Sequence, residues 1–180
     1  MANDNPHMIR FIDSLTKHVS QKDFDEYLST HRLSKSASID KKFVWAKSTC
    51  NFLMNKYEDD KIKCIRMDCA CGPELGKGKK ITEIYDKESD LFLFVEKVNK
   101  LNQGFQIEHD GESFYLIYPQ CYCSCVKRID QPLSKVWCYC TLGYTKRMFE
   151  YIFSRAVEVE LLNSVKIGDD ICKIRITVLD

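Results

Sequence analysis

The hydrophobic period of this chain changes once, near Asn102 to Gly104, and that change constrains the fold more than any other feature. Before it, apolar residues recur at helical spacing. Met8, Phe11, Ile12, Leu15 and Val19 fall at i, i+3, i+4, i+7 and i+11, one face of an amphipathic helix. Ser20 followed by Asp23 resembles a capping box for a short helix through Tyr27 and Leu28. After the polar connector STHRLSKSAS, the helical period resumes from Asp40 to Tyr57, where Phe43, Ala46, Cys50, Leu53 and Tyr57 share a face. Cys50 reads there as a small core residue. A further helix ends at Cys69 to Cys71, stopped by Gly72 and Pro73, and another runs from about Lys87 to Leu101 on Leu91, Phe94, Val95, Val98 and Leu101.

Beyond the change the pattern alternates. Phe105 and Ile107 alternate with polar residues, Asp110-Gly111 turns, and Phe114 to Tyr118 returns, which is a hairpin. Thr141 to Ser154 reads as a helix, and the tail as a second hairpin around Ile167 to Asp170. In its last strand Cys172, Ile174, Ile176 and Val178 face inward, which makes Cys172 a core residue. The predicted fold class is α+β. A helical part over 1–103 precedes an antiparallel sheet with a cysteine-rich loop and helix over 104–180, all in one compact domain packed on helices.

Charge then narrows the function. The 27 basic residues balance 26 acidic ones, so no whole-chain field draws in nucleic acid or an anionic membrane. No stretch approaches the roughly 20 apolar residues that span a bilayer. The first twenty residues break every apolar pair with polar ones and lack the apolar region of a secretory signal, so the expected address is cytoplasmic, where thiols stay reduced. GPELGKGKK lacks the spacing and the hydroxyl of a P-loop. His7, His18, His31 and His109 stand at no metal-ligand spacing from one another, and no G-x-S-x-G elbow occurs.

Five of the ten cysteines crowd into CYCSCVKRIDQPLSKVWCYC, residues 121–140. Disulfides, a metal and a reactive thiol compete to explain them. The pairs Cys121, Cys123 and Cys138, Cys140 offer four thiolates across a short loop, the donor set of a closed tetrahedral zinc site. Residues two apart in a straight strand stand nearly 7 Å apart, about too far to chelate one ion, so both pairs need turns. Cys125 shares the alternation of Cys123 and competes with it as ligand. Scattered reduced thiols remain the plain alternative, and an iron–sulfur cluster a third. Cys64, Cys69 and Cys71 form a second cluster that completes a metal site, carries a reactive thiol or packs. The basic residues Arg66, Lys77, Lys79 and Lys80 lie close by in sequence, and nearby positive charge is what makes a thiol reactive.

The stretch WCYCTLGYTKRMFEYIFSRAVEVELLNSVKIGDDICKIRI resembles the C-terminal part of the 4-vinyl reductase-like domains and of 2-amino-thiazoline-4-carboxylate hydrolase-like proteins. The shared pattern is Cys-x-Cys and Gly before a helix, a strand, then Gly168-Asp169-x-x-Cys172 leading the last strand. It is similar more closely to an uncharacterised bacterial family with paired C-x-C motifs, in which Cys121, Cys123, Cys138 and Cys140 are the matching positions. The resemblance implies a sheet packed on helices around a small-molecule pocket, with zinc as cofactor. The function it implies is a zinc-containing small-molecule-binding or sensor domain. The alternative it implies is a hydrolase using a metal or a free thiol of Cys69, Cys71 or Cys125. Tyr144, Met148 and Tyr151 with Phe114 and Leu116 offer a pocket for a small apolar ligand. The sequence leaves the oligomeric state open, a homodimer included.

Overall fold

A computed structural model describes residues 4–70 and 76–179. Within them the elements run α1 (Pro6–His18), α2 (Gln21–Thr30), α3 (Ile39–Lys56), α4 (Asp59–Asp68), α5 (Gly76–Tyr85), α6 (Leu91–Lys100), β1 (Gln106–His109), β2 (Phe114–Tyr118), α7 (Tyr139–Phe153), β3 (Val157–Asn163) and β4 (Cys172–Val178). The chain is α+β, with helices first and the four-stranded antiparallel sheet after. Its contacts group into two compact units, one of Met1–Cys71 with Tyr122–Gly143, the other of Gly72–Cys121 with Tyr144–Asp180. The expected boundary at 103/104 marks where helices give way to strands, whereas each compact unit combines separate stretches of chain.

The first unit is helical. Pro6 sits in the first turn of α1, where its missing N–H costs nothing, and the Asn5 side chain caps the helix by accepting from His7 N. Met8, Phe11 and Leu15 are fully buried, while Ile12 and Val19 are half-buried. Ser20 caps α2 by accepting from Asp23 N, as the capping pattern predicts. From α3, Phe43, Trp45, Ala46, Cys50 and Leu53 enter the core, and from α4, Ile62 and Ile65. Each large apolar side chain so buried contributes about 1.5–3 kcal/mol. Two polar side chains in this core are paired: Ser14 Oγ donates to Ile65 O at 2.6 Å, and Tyr27 Oη meets Thr49 Oγ1 at 2.8 Å.

The second unit carries the sheet, in the order β1-β2-β4-β3. Phe114 opposes Ile176 and Leu116 opposes Ile174, placing all four buried residues in register. Phe94 of α6 and Phe149 and Phe153 of α7 pack on Phe114, with ring centroids 6.1, 6.5 and 4.9 Å away. The first hairpin turns at Asp110, whose carboxylate accepts from Glu112 N and Ser113 N, and at Gly111, whose φ of +105° suits glycine. Edge strand β1 is tied to α6 by the Asn99 amide, which both donates to and accepts from the Ile107 main chain at 2.8 Å. Edge strand β3 carries an irregularity at Leu161/Asn163 that interrupts its ladder with β4.

Several expectations change here. α7 begins at Tyr139 rather than Thr141, so Cys140 lies in a helix. Cys172 is half-buried, not a full core residue. The helix α5 has no counterpart in the sequence reading. Cys71, Gly72 and Pro73 lie outside the described residues. No helix among the described residues is long and apolar enough to cross a membrane.

Candidate functional site

The first unit contains a buried charge, Arg66, close in sequence to Cys64 and Cys69. Ile62, Arg66 and Cys69 fall at i, i+4 and i+7, the face of α4 that turns inward. Arg66 is therefore buried, 3% exposed. Its guanidinium donates through Nε to Val136 O at 3.3 Å, through Nη2 to Trp137 O at 2.7 Å, and through Nη1 to Cys69 Sγ at 3.1 Å. The Cys69 thiol donates back to Arg66 O at 3.2 Å. The guanidinium lies 4.3 Å from the centre of the Trp137 ring and 5.6 Å from that of Phe11, so aromatic faces take the positions water would hold. Among the described residues it pairs with no carboxylate.

A buried unpaired cation is costly, and its surroundings respond. Burial works against the charge, and the thiols of Cys69, Cys140, Cys50 and Cys123 outweigh it, holding the Arg66 pKa above the ordinary value. The anionic form of a cysteine beside it is favoured in turn.

Cys123 is a thiol whose surroundings favour that anion. A turn follows it, in which Val126 N and Lys127 N donate to Cys123 O at 3.0 and 2.8 Å. The turn curls the C-x-C segment back on itself, so that the Cys125 thiol and main-chain N–H both donate to the Cys123 sulfur. Trp137 Nε1 donates to the same sulfur at 3.4 Å. The Cys125 thiol contributes most, with Trp137, the Cys125 N–H and Arg66 adding to it against burial, and together they pull the Cys123 pKa down to about 6. Cys123 is half-buried and Cys125 fully buried. Cys50, at the same core, goes the other way: burial pushes it up to about 11.

Ser124, between the two thiols, is held from α1. Arg10 Nη2 lies 3.0 Å from His7 Nδ1, and His7 Nε2 lies 2.7 Å from Ser124 Oγ. A guanidinium only donates, so Nδ1 accepts, and Nε2 carries the proton and donates to the serine. Burial first, then Arg10, Arg66 and Lys42, lower the His7 pKa to about 4 and keep the ring neutral. His7 is thus an anchor for the thiol turn and no base toward Ser124.

The structure sorts the cysteines of the sequence reading as follows. Cys69, Cys123, Cys125 and Cys140 share the first unit with Arg66, and Cys138 ends a short 3₁₀ turn, Lys135–Cys138, beside Trp137. Cys121 belongs to the second unit, Cys64 is exposed, and Cys71 lies outside the described residues. No disulfide joins any of the nine described cysteines. Among the described residues no group of three or more His, Cys, Asp or Glu is placed to hold a metal ion. The expected zinc site on Cys121, Cys123, Cys138 and Cys140 is thereby corrected: Cys123 is directed to Trp137 and Cys125, and a buried guanidinium supplies the positive charge its thiols face. Phe114, Leu116 and Met148 are buried in the second unit, and Tyr144 and Tyr151 there are half-buried.

Fold and site together define an α+β protein with a buried thiol–guanidinium cluster. The model of the Family of unknown function (DUF6144) matches residues 10–180, and the chain belongs to that family. No curated protein matches it. Among solved structures, the chain is similar to an H-NOX protein from S. oneidensis in the Fe(II)NO ligation state, at 16% identity and TM-score 0.48, over 98% of this chain and 99% of that one. It is similar to an H-NOX domain from Shewanella oneidensis in the Fe(II)CO ligation state at 14% identity and TM-score 0.47, over the same shares. Likeness at this level transfers no chemistry. The family match replaces the resemblance to 4-vinyl reductase-like and 2-amino-thiazoline-4-carboxylate hydrolase-like proteins. With that resemblance go the zinc sensor and the hydrolase it implied, neither of which the family match or a metal-holding group among the described residues supports.

Proposed function

We propose that the first unit works as a redox-responsive dithiol, with Cys123 as the reacting thiol, Cys125 as its disulfide partner and hydrogen peroxide as the class of oxidant. The observation that carries this reading is the Cys123 sulfur itself, which faces the Trp137 indole N–H and the Cys125 thiol beside a buried cation that has no carboxylate partner among the described residues. Hydrogen-bond donors and a cation stabilise a thiolate, and the thiolate is the nucleophilic form. Cys123 is half-buried rather than sealed in the core.

In the first step the Cys123 thiolate attacks one peroxide oxygen. The O–O bond breaks, and the departing hydroxide takes a proton and leaves as water. Cys123 becomes a sulfenic acid. The Cys125 sulfur then attacks the Cys123 sulfur, the S–O bond breaks, and the hydroxyl leaves as water with the Cys125 proton. The Cys125 thiol, then the Trp137 indole N–H and Arg66, hold the Cys123 sulfur anionic before oxidation, and His7 fixes the intervening Ser124 so that the turn keeps both sulfurs together. Treating the reduced protein with a slight excess of peroxide and mapping its peptides tests the reading. A Cys123–Cys125 disulfide forming before any other thiol oxidises is the expected product. Oxidation spread evenly over the exposed cysteines, with Cys64 ahead of Cys123, refutes it.

A further inference from the structure

The chain has two tryptophans, and both lie in one buried line that ends on Cys123. Trp45 and Trp137 meet edge to face with centroids 5.5 Å apart, and the Trp137 indole nitrogen stands 3.4 Å from the Cys123 sulfur. Behind Trp45 the line continues through Phe11 at 6.3 Å to Tyr27, 5.1 Å further. Trp45 and Trp137 are 4% and 3% exposed.

We infer that Trp45 and Trp137 form an electron-hole path to Cys123, so that the dithiol also captures one-electron oxidants, a class distinct from peroxide. The inference rests on Cys123 and Cys125 acting as a thiolate–thiol pair, as proposed above.

The direction of transfer follows from what surrounds each ring. The guanidinium of Arg66 sits over the Trp137 face, and a fixed positive charge there disfavours a second one on the indole. A hole on Trp137 is therefore short-lived, and the anionic Cys123 sulfur, 3.4 Å from the indole nitrogen, is the electron donor in contact that removes it. The other end of the line offers a poor exit: Tyr27 is fully buried and its hydroxyl faces Thr49 Oγ1, a weak proton acceptor, whereas a tyrosyl radical forms only as the phenol proton leaves. Cys123 meets the indole directly and needs to lose no proton as a thiolate.

The electrons balance as follows. An oxidised Trp137 takes one electron from the Cys123 thiolate, which restores the indole and leaves a thiyl radical. That sulfur bonds to the Cys125 sulfur, whose proton goes to solvent, giving a disulfide radical anion. Dioxygen accepts the extra electron and leaves as superoxide, and the closed disulfide remains.

The test is flash photo-ionisation of the reduced, full-length protein at the red edge of indole absorption, with nitrous oxide and tert-butanol removing the ejected electron. Every indole radical then starts on Trp45 or Trp137. Without dioxygen, the indole signal is expected to decay as the disulfide radical anion rises. Cys123→Ser should abolish the second signal and lengthen the life of the first by roughly tenfold or more. Trp137→Phe should cut the disulfide-radical yield by a similar factor, while Trp45→Phe, which leaves the last contact intact, should preserve it. Should Trp137→Phe fail to fold, Cys123→Ser and Trp45→Phe decide the matter. Decay of the indole signal into tyrosyl radical, unchanged in Cys123→Ser, overturns the inference. If light produces the Cys123–Cys125 disulfide and peroxide does not, the peroxide reading fails and this one stands.

Discussion

Gly143 provides a quantitative test of how the first turn of α7 meets Met67 of α4 within the first unit. A Cβ at this position would lie 2.0 Å from Met67 O and 2.7 Å from Met67 C and Cα, where real contacts begin near 3.0 Å. The obstructing atoms are main chain and cannot rotate aside. Gly143→Ala must therefore move the first turn of α7 away from Met67 by about 1 Å. Overpacking of this kind costs typically about 1–3 kcal/mol, and a backbone obstacle belongs at or above the top of that range. Alanine returns about 1 kcal/mol of helix propensity, because glycine inside a helix is unfavourable. The net expectation is a loss of about 2 kcal/mol, or roughly 4–8 °C in melting temperature for a chain of this size. Urea unfolding of the two proteins side by side measures it. Gly78→Ala is the control: its Cβ would meet only the edge of the Tyr151 ring at 3.0 Å, a side chain able to give way, so its effect should stay within about 1 kcal/mol. Since Met67 adjoins Arg66, Gly143→Ala should also slow alkylation of Cys123 near neutral pH. A Gly143→Ala protein more stable than the parent would refute the close approach and the reasoning built on it.

Arg66→Met should destabilise by on the order of 2–3 kcal/mol, since the Val136 and Trp137 carbonyls lose a charged donor; chemical denaturation checks this, and a neutral outcome contradicts it. Stability should fall as pH drops from 6.5 toward 4, because the unfolded chain then protonates His7 while the folded chain holds it neutral. His7→Gln should flatten that part of the pH–stability curve. Between pH 6 and 9 stability should likewise rise with pH, because folded Cys123 has lost its proton while the unfolded chain still holds it. Cys123→Ser should remove that rise.

Much of the fold was legible because it rests on periodicity. The stripe of Met8, Phe11 and Leu15 is buried, as are Phe94 and Val98 of α6 and the alternating Ile174 and Ile176 of β4. Ser20 caps where the pattern placed it. α5 escaped because its first turns, GKGKK, carry two glycines and three lysines, which oppose a helix by propensity and give it little apolar stripe. The start of α7 escaped because Cys138 to Cys140 reads as a cysteine motif, which hid helical residues. Most instructive is Arg66. Its charge suggests a surface position, yet Ile62, Ile65 and Cys69 around it on the helix already mark that face as inward. Following the face rather than the charge would have put the guanidinium among the thiols. The partners of Cys123 were less legible: nothing in the spacing of Trp137, fourteen residues on, says that its indole N–H points at that sulfur. Paired C-x-C motifs suggest a metal by donor type alone, and only the placement of the cation distinguishes a zinc site from a reactive dithiol.

The most direct test of that distinction is the ionisation of Cys123 in the reduced protein, read from the pH dependence of its iodoacetamide alkylation by peptide mass spectrometry. The thiol–guanidinium account predicts a midpoint near pH 6, moving upward in Trp137→Phe and in Arg66→Met. A midpoint at the ordinary cysteine value of about 8.5, unchanged by either substitution, would contradict it.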